Sequence, residues 1–275
     1  MTCSIIGPGL VGSFLGAAAN APSAHSRHSH PIERLVELPN GRTRWCPAQA
    51  AGKLPGPACI LASGTGLPLL VCTRFHHTPW RALPAHALAA QNGLGQPIPV
   101  IVCFLALDQA ADGVIRCLGI PRLVAPLQVS TASVWAGVFS AWRRAGLIVD
   151  EVVDCAPAQW EKTILNATVG PLCLATGLSM AEVWATSDLR QLVIAATTEG
   201  QRIATCHGVD IAPGIEERAA DLFARIGAHR PSVMTDSGEL PHVLGYLRRH
   251  AVEAIPALDR IAELVSTRHL PGATS

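Results

Sequence analysis

Lys162 and Asn166 stand four residues apart in the stretch Trp160-Glu161-Lys162-Thr163-Ile164-Leu165-Asn166-Ala167-Thr168-Val169-Gly170-Pro171-Leu172. On a helix this spacing puts an ammonium and a carboxamide on one face, one turn apart. The apolar residues around them predict a largely buried helix. A lysine there must reach a cleft, a partner or a ligand, because an unpaired buried charge is costly. Beside a neutral amide, such a lysine can give a proton and hydrogen bonds to a carbonyl oxygen. The plainer reading is a lysine that snorkels to the surface, and the spacing alone does not choose between the two.

A second chemical motif opens the chain. The apolar run ending in Ile5-Ile6 leads into Gly7-Pro8-Gly9-Leu10-Val11-Gly12, and Ser13-Phe14-Leu15-Gly16-Ala17-Ala18-Ala19 reads as helix. Strand, Gly-x-Gly-x-x-Gly turn and helix together are the context that the dinucleotide-binding fingerprint requires. Gly7 permits the tight turn, Gly9 lets a pyrophosphate approach the backbone, and Gly12 lets helix pack on strand. Leu10 and Val11 complete the cofactor-binding turn, and the N-terminus of the helix that follows supplies free N–H groups and a dipole that favour an anion. The next strand is short of β-branched residues, and no Asp or Glu ends it. NADP(H) is therefore the better-fitting cofactor, with Arg27 or His28 toward its 2′-phosphate. A solvated loop arginine explains Arg27 equally well.

The elements that must position these residues follow two patterns. Residues 32–45 read as an exposed hairpin turning at Pro39-Asn40-Gly41. Residues 58–62 and 67–72 are short apolar runs of the kind buried in parallel sheets. The second of these ends in Thr73-Arg74, at the strand end where such sheets bind ligands. A helical stretch leads to the tight turn Gln91-Asn92-Gly93-Leu94-Gly95. Residues 100–107, 113–118 and 123–127 read as three strands, 134–145 as a helix and 147–153 as a last strand. Beyond residue 155 the signals are helical only, and Ser179 with Glu182 forms a capping box. The expectation is an α/β, Rossmann-like NADP-binding domain over residues 1–154, then an all-α substrate and dimerisation domain over 155–275.

Composition narrows the function. The chain has 275 residues, 49% hydrophobic and 15% charged, with net charge +1, so there is material for a sizeable core. The absence of a charged block argues against nucleic acid or an anionic membrane as partner. Apolar runs break well short of a membrane span. Nine scattered cysteines without Cys-x-x-Cys suggest buried thiols in a reducing cytoplasm rather than disulfides or zinc. The histidines at 25, 28 and 30 read as a polar loop rather than a metal site.

Together these pieces resemble the ketopantoate reductase (2-dehydropantoate 2-reductase) family. Gly7-Pro8-Gly9-Leu10-Val11-Gly12 is similar to its opening fingerprint. Leu70-Val71-Cys72-Thr73-Arg74 resembles the strand ending in its cofactor-side lysine, with arginine instead. Gln91-Asn92-Gly93-Leu94-Gly95 is similar to its Asn-Gly turn, and Trp160-Glu161-Lys162 with Asn166 and Pro171 to its central helix. Arg230-Pro231-Ser232-Val233-Met234-Thr235-Asp236 and Glu239, before Gly245-Tyr246-Leu247-Arg248-Arg249, resemble its C-terminal motifs. The resemblance implies NADPH over the glycine turn with Arg74 and Asn92 beside it. It implies Lys162 as general acid toward a small carbonyl substrate, and Asn166, Asn92, Ser232 and Glu239 as substrate-side groups. Ser232 as a helix cap and Glu239 as a first-turn carboxylate stay open alternatives. Gly170 stands where the family has a second asparagine, which removes a hydrogen-bonding side chain and predicts open space there. A homodimer through apolar helices of the second domain fits this picture. The competing reading is a relative of the same fold without hydride transfer, a ligand-binding paralogue or an enzyme of other chemistry.

Overall fold

The computed structural model describes residues 3–25, 32–49, 67–78, 80–84, 86–130, 133–227 and 229–269. The chain divides into two compact units: Met1–Gln91 with Gly95–Cys155, and Asn92–Leu94 with Ala156–Ser275. The first is α/β with a Rossmann-like parallel sheet, and the second is all-helical.

In the first unit, β1 (Ser4–Ile6) precedes α1 (Leu10–Ala19). Strand β1 lies at the centre of a five-stranded parallel sheet. Its neighbours are β2 (Ser23–His25) and, beyond it, β5 (Ala48–Gln49) on one side, and β6 (Leu69–Val71) and then β7 (Ala87–Ala89) on the other. The weak second strand therefore forms, pinned by the register Ser4↔Ser23 and a 2.7 Å bond between the two serine hydroxyls. The run at 58–62 lies outside the described residues.

A second sheet was not legible in the sequence. It joins β3 (Arg34–Leu38), β4 (Gly41–Trp45), β8 (Val102–Gln109), β9 (Ile115–Pro126) and β10 (Ile148–Val152). The hairpin is half core rather than simply exposed: Val36, Leu38 and Trp45 are buried. Trp45 packs so closely on α1 that a Cβ at Gly16 would lie 2.5 Å from its ring, and its indole N–H donates to the Ala21 carbonyl at 2.9 Å. Strand β9 also replaces two expected strands. Gly119, at φ +85, and Pro121 do not end it; they fall where the β8–β9 register shifts between Phe104 and Ala106. A glycine and a proline in a strand mark such a bulge as readily as a turn. The stretch before Gln91, read as helical, holds β7, whose three residues are all buried. The helix α2 (Ser133–Arg144) seats Trp135, Phe139 and Trp142 in the core, with the Trp142 indole N–H donating to Leu15 at 3.0 Å.

The second unit is organised around α3 (Ala156–Thr176), a 21-residue helix with Thr163–Leu165 and Ala167–Cys173 buried. Against it pack α5 (Ser187–Cys206), α7 (Leu244–His250) and α8 (Pro256–His269), with α4 (Met180–Ala185) and α6 (Ile215–Ile226) completing the unit. The capping box is present: the Ser179 hydroxyl accepts from the Glu182 N–H at 3.3 Å, and Glu182 accepts from the Ser179 N–H at 2.7 Å. The helix it starts is six residues long. Glu199, 5% exposed, accepts from the N–H groups of Ala257 and Leu258 at 2.9 and 2.8 Å, so one helix caps the start of another.

Among the described residues no helix is long and apolar enough to cross a membrane. The thiols are not uniformly buried. Cys46 and Cys206 are exposed, whereas burial pushes Cys3 and Cys173 up to about 12.

Candidate active site

The glycine turn of the first unit is a backbone site. Gly7 adopts φ +81, and a Cβ there would lie 2.7 Å from Thr73 Cγ2 and 2.8 Å from its N. A Cβ at Gly12 would lie 2.2 Å from the Gly7 carbonyl oxygen. At Gly9, by contrast, a Cβ would meet nothing within 4 Å. Two glycines thus permit tight internal packing, while the third leaves a bare approach to the start of α1. That helix has no side-chain cap among the described residues and no acid in its first turn. Leu10 is 37% exposed and Val11 half-buried there. The Ser13 hydroxyl donates to the Pro8 carbonyl at 3.0 Å and holds the turn. An uncrowded helix N-terminus behind an open glycine fits a dinucleotide's diphosphate.

Arg74 lies three residues past the end of β6, on the segment beside that turn, for the Cys72 N–H donates to the Ile6 carbonyl at 2.7 Å. It is half-buried. Arg27 and His28 lie outside the described residues.

Side chains make the candidate site of the second unit. Lys162 and Asn166 are half-buried on a helix whose intervening residues are buried. Asn92 belongs to this unit with Gly93 and Leu94. Gln159, one turn before Lys162, donates to the Gly93 carbonyl at 3.1 Å. Gly93 adopts φ +92, and a Cβ on it would lie 2.6 Å from the His242 carbonyl oxygen. The Asn-Gly turn is therefore tied both to the start of α3 and to the 3-10 segment Ser237–His242, which carries Glu239. The Ser232 hydroxyl donates to Glu239 Oε2 at 2.8 Å. Ser232 itself begins the 3-10 turn Ser232–Met234, packed on α3. Its hydroxyl thus donates to the carboxylate, and Pro231 rather than Ser232 stands at the N-cap position of that turn.

Gly170 departs from expectation. It does not open space beside Asn166, because a Cβ there would lie 3.2 Å from Val233 Cγ1 and 3.7 Å from Pro231 Cβ. The volume a side chain would take is filled by the Pro231-Ser232-Val233 segment.

Supports around this helix escaped the sequence. The two Glu161 carboxylate oxygens accept from Nε and Nη2 of Arg218, each at 2.9 Å, and the same arginine donates to the carbonyls of Ala212 and Pro213. The Glu161 bond raises the Arg218 pKa. Trp160 stacks on His207 and meets Tyr246 edge-on, and Tyr246 stacks on His250 with ring centroids 4.0 Å apart. Burial, then His207 and Arg249, lower the His250 pKa. Glu161–Arg218, Trp160–His207 and Trp160–Tyr246 join residues more than 40 positions apart, and no local spacing announces them.

The chain is similar to several known proteins. Residues 154–268 match the family model described as ketopantoate reductase PanE/ApbA C terminal. A 2-dehydropantoate 2-reductase of Halobacterium salinarum is 25% identical over 96% of this chain and 98% of its own. Among solved structures, a PanE/ApbA family ketopantoate reductase from Ralstonia eutropha superposes with TM-score 0.77 at 21% identity, covering 98% of each chain. A D-mandelate dehydrogenase, solved with NADH and anilino(oxo)acetate, superposes with TM-score 0.74 at 16% identity over 98% of each chain.

Proposed function

We propose, from the premise that the chain is a divergent member of the ketopantoate reductase family, that it is an NADPH-dependent reductase of a 2-oxo acid or related small carbonyl compound. The observation that carries this reading is the set gathered around α3: Lys162 and Asn166 on the helix, with Asn92 and the bonded Ser232–Glu239 pair on segments tied to it. The relatives support a nicotinamide cofactor and an oxidoreductase acting between C=O and CH–OH. The missing acid after β2 favours NADPH over NADH.

When bound, NADPH supplies the hydride. The chain supplies the rest. The backbone at Gly9 and the N–H groups opening α1 hold the diphosphate. Asn166 donates its amide N–H to the substrate's carbonyl oxygen, and Lys162 protonates that oxygen as negative charge develops on it. The Glu239 carboxylate offers an acceptor to a substrate hydroxyl or to the Lys162 ammonium. Ser232 fixes Glu239, and Asn92 helps hold the substrate.

Lys162→Ala tests the assignment. General acid catalysis contributes about 10²–10⁴-fold, so kcat should fall by that much while cofactor affinity and melting temperature stay near wild type. Full turnover in a folded, cofactor-binding variant would remove Lys162 from the role.

A further inference from the structure

The loop after β6 carries a polar hub that the glycine turn does not explain. The Thr78 hydroxyl touches three groups: the Arg74 carbonyl at 2.9 Å, the Thr73 hydroxyl at 2.8 Å and the Gln91 amide at 2.6 Å. Proton accounting fixes each direction. A carbonyl can only accept, so the one Thr78 proton goes to Arg74. The Thr78 oxygen must then accept from the Thr73 O–H and from a Gln91 N–H. The Arg74 carbonyl also accepts from the His77 N–H at 2.9 Å.

Both Thr78 and Gln91 are 9% exposed, and the orientation just derived leaves the buried Gln91 Oε1 without a partner among the described residues. Folding alone favours an apolar side chain over a buried amide with an unmet acceptor. Thr73 is also the residue that Gly7 packs against. The hub therefore ties β7's end, the Arg74 backbone and the edge of the glycine turn into one unit.

We propose that Thr78, held by Gln91, is a positioning residue that sets Arg74 beside the glycine turn for the cofactor's phosphates. This rests on the reductase reading above. Its test is a double-mutant cycle on the full chain, read as NADPH dissociation constants by calorimetry. Loss of the hub should weaken NADPH about tenfold in Thr78→Val, while Thr78→Ser, which keeps the hydroxyl, stays within about twofold. Arg74→Ala should also cost about tenfold, and the double variant should be no weaker than Arg74→Ala alone, because both act through one contact. Full additivity, about a hundredfold loss in the double variant, would overturn the proposal. So would equal loss in Thr78→Val and Thr78→Ser. If Thr78→Val does not fold, Gln91→Met replaces it in the same cycle, with the same expected and contrary results. Wild-type protein that binds no nicotinamide dinucleotide would fail the reductase reading itself and overturn this proposal with it, a result distinct from additivity in a chain that binds.

Discussion

The two units carry chemistry in opposite ways. In the first, the candidate site is made of what glycine lacks. Gly7 and Gly12 have no room for a side chain, and Gly9 leaves a face bare. The strands behind them are only three residues long. In the second, the candidate site consists of side chains spread from Asn92 to Glu239, held by a long buried helix and by tertiary bonds. A backbone site tolerates thin support so long as its turn keeps its shape. A side-chain site tolerates changes of neighbour so long as the scaffold keeps its alignment. Gly170 illustrates the second case, since Val233 occupies the space that a side chain there would take.

This contrast can be broken most strongly at Gly12. A methyl 2.2 Å from the Gly7 oxygen forces the backbone apart, so Gly12→Ala should cost about 3 kcal/mol or more in urea unfolding and abolish cofactor binding. Gly9→Ala should separate the two effects. With open space around it, stability should stay within about 0.5 kcal/mol of wild type, while NADPH affinity drops about tenfold or more. A Gly9→Ala protein that binds NADPH normally would mean the diphosphate lies elsewhere. In the helical unit the scaffold is probed at Glu199. Glu199→Gln keeps one acceptor of two and adds donors without partners, so unfolding should show a loss of about 1–3 kcal/mol. Below the melting transition its KM and kcat should match wild type; a changed KM would show that the frame and the site are not separable there.

The same contrast explains what the sequence disclosed. The glycine turn was legible because its demands are local: each glycine's reason lies within a few residues or one strand away. The Ser179–Glu182 box was legible for the same reason. The second sheet was not, because β3 joins β9 across some 80 residues and the Gly119–Pro121 bulge reads like a turn. Nor was β7, since alanines in Ala87–Ala89 follow helical propensity until burial between sheet neighbours overrides it. Lys162 and Asn166 showed their spacing on one helix, but Ser232 and Glu239 share no periodicity with them. Only the family resemblance pointed to that pair, and it did not reveal the hydrogen bond that joins them. Glu161–Arg218 and the Thr78 hub had no signal at all, being pairs of ordinary polar residues joined only by the fold.

The most direct measurement is a titration of NADPH and, separately, NADH into the purified protein by calorimetry. NADPH should bind with NADH weaker by about tenfold or more, since a phosphate contact with one cation contributes charge-assisted hydrogen bonds. Binding of neither would contradict the account, because a glycine turn shaped for a diphosphate would then serve no dinucleotide, and Lys162 would have no hydride transfer to complete.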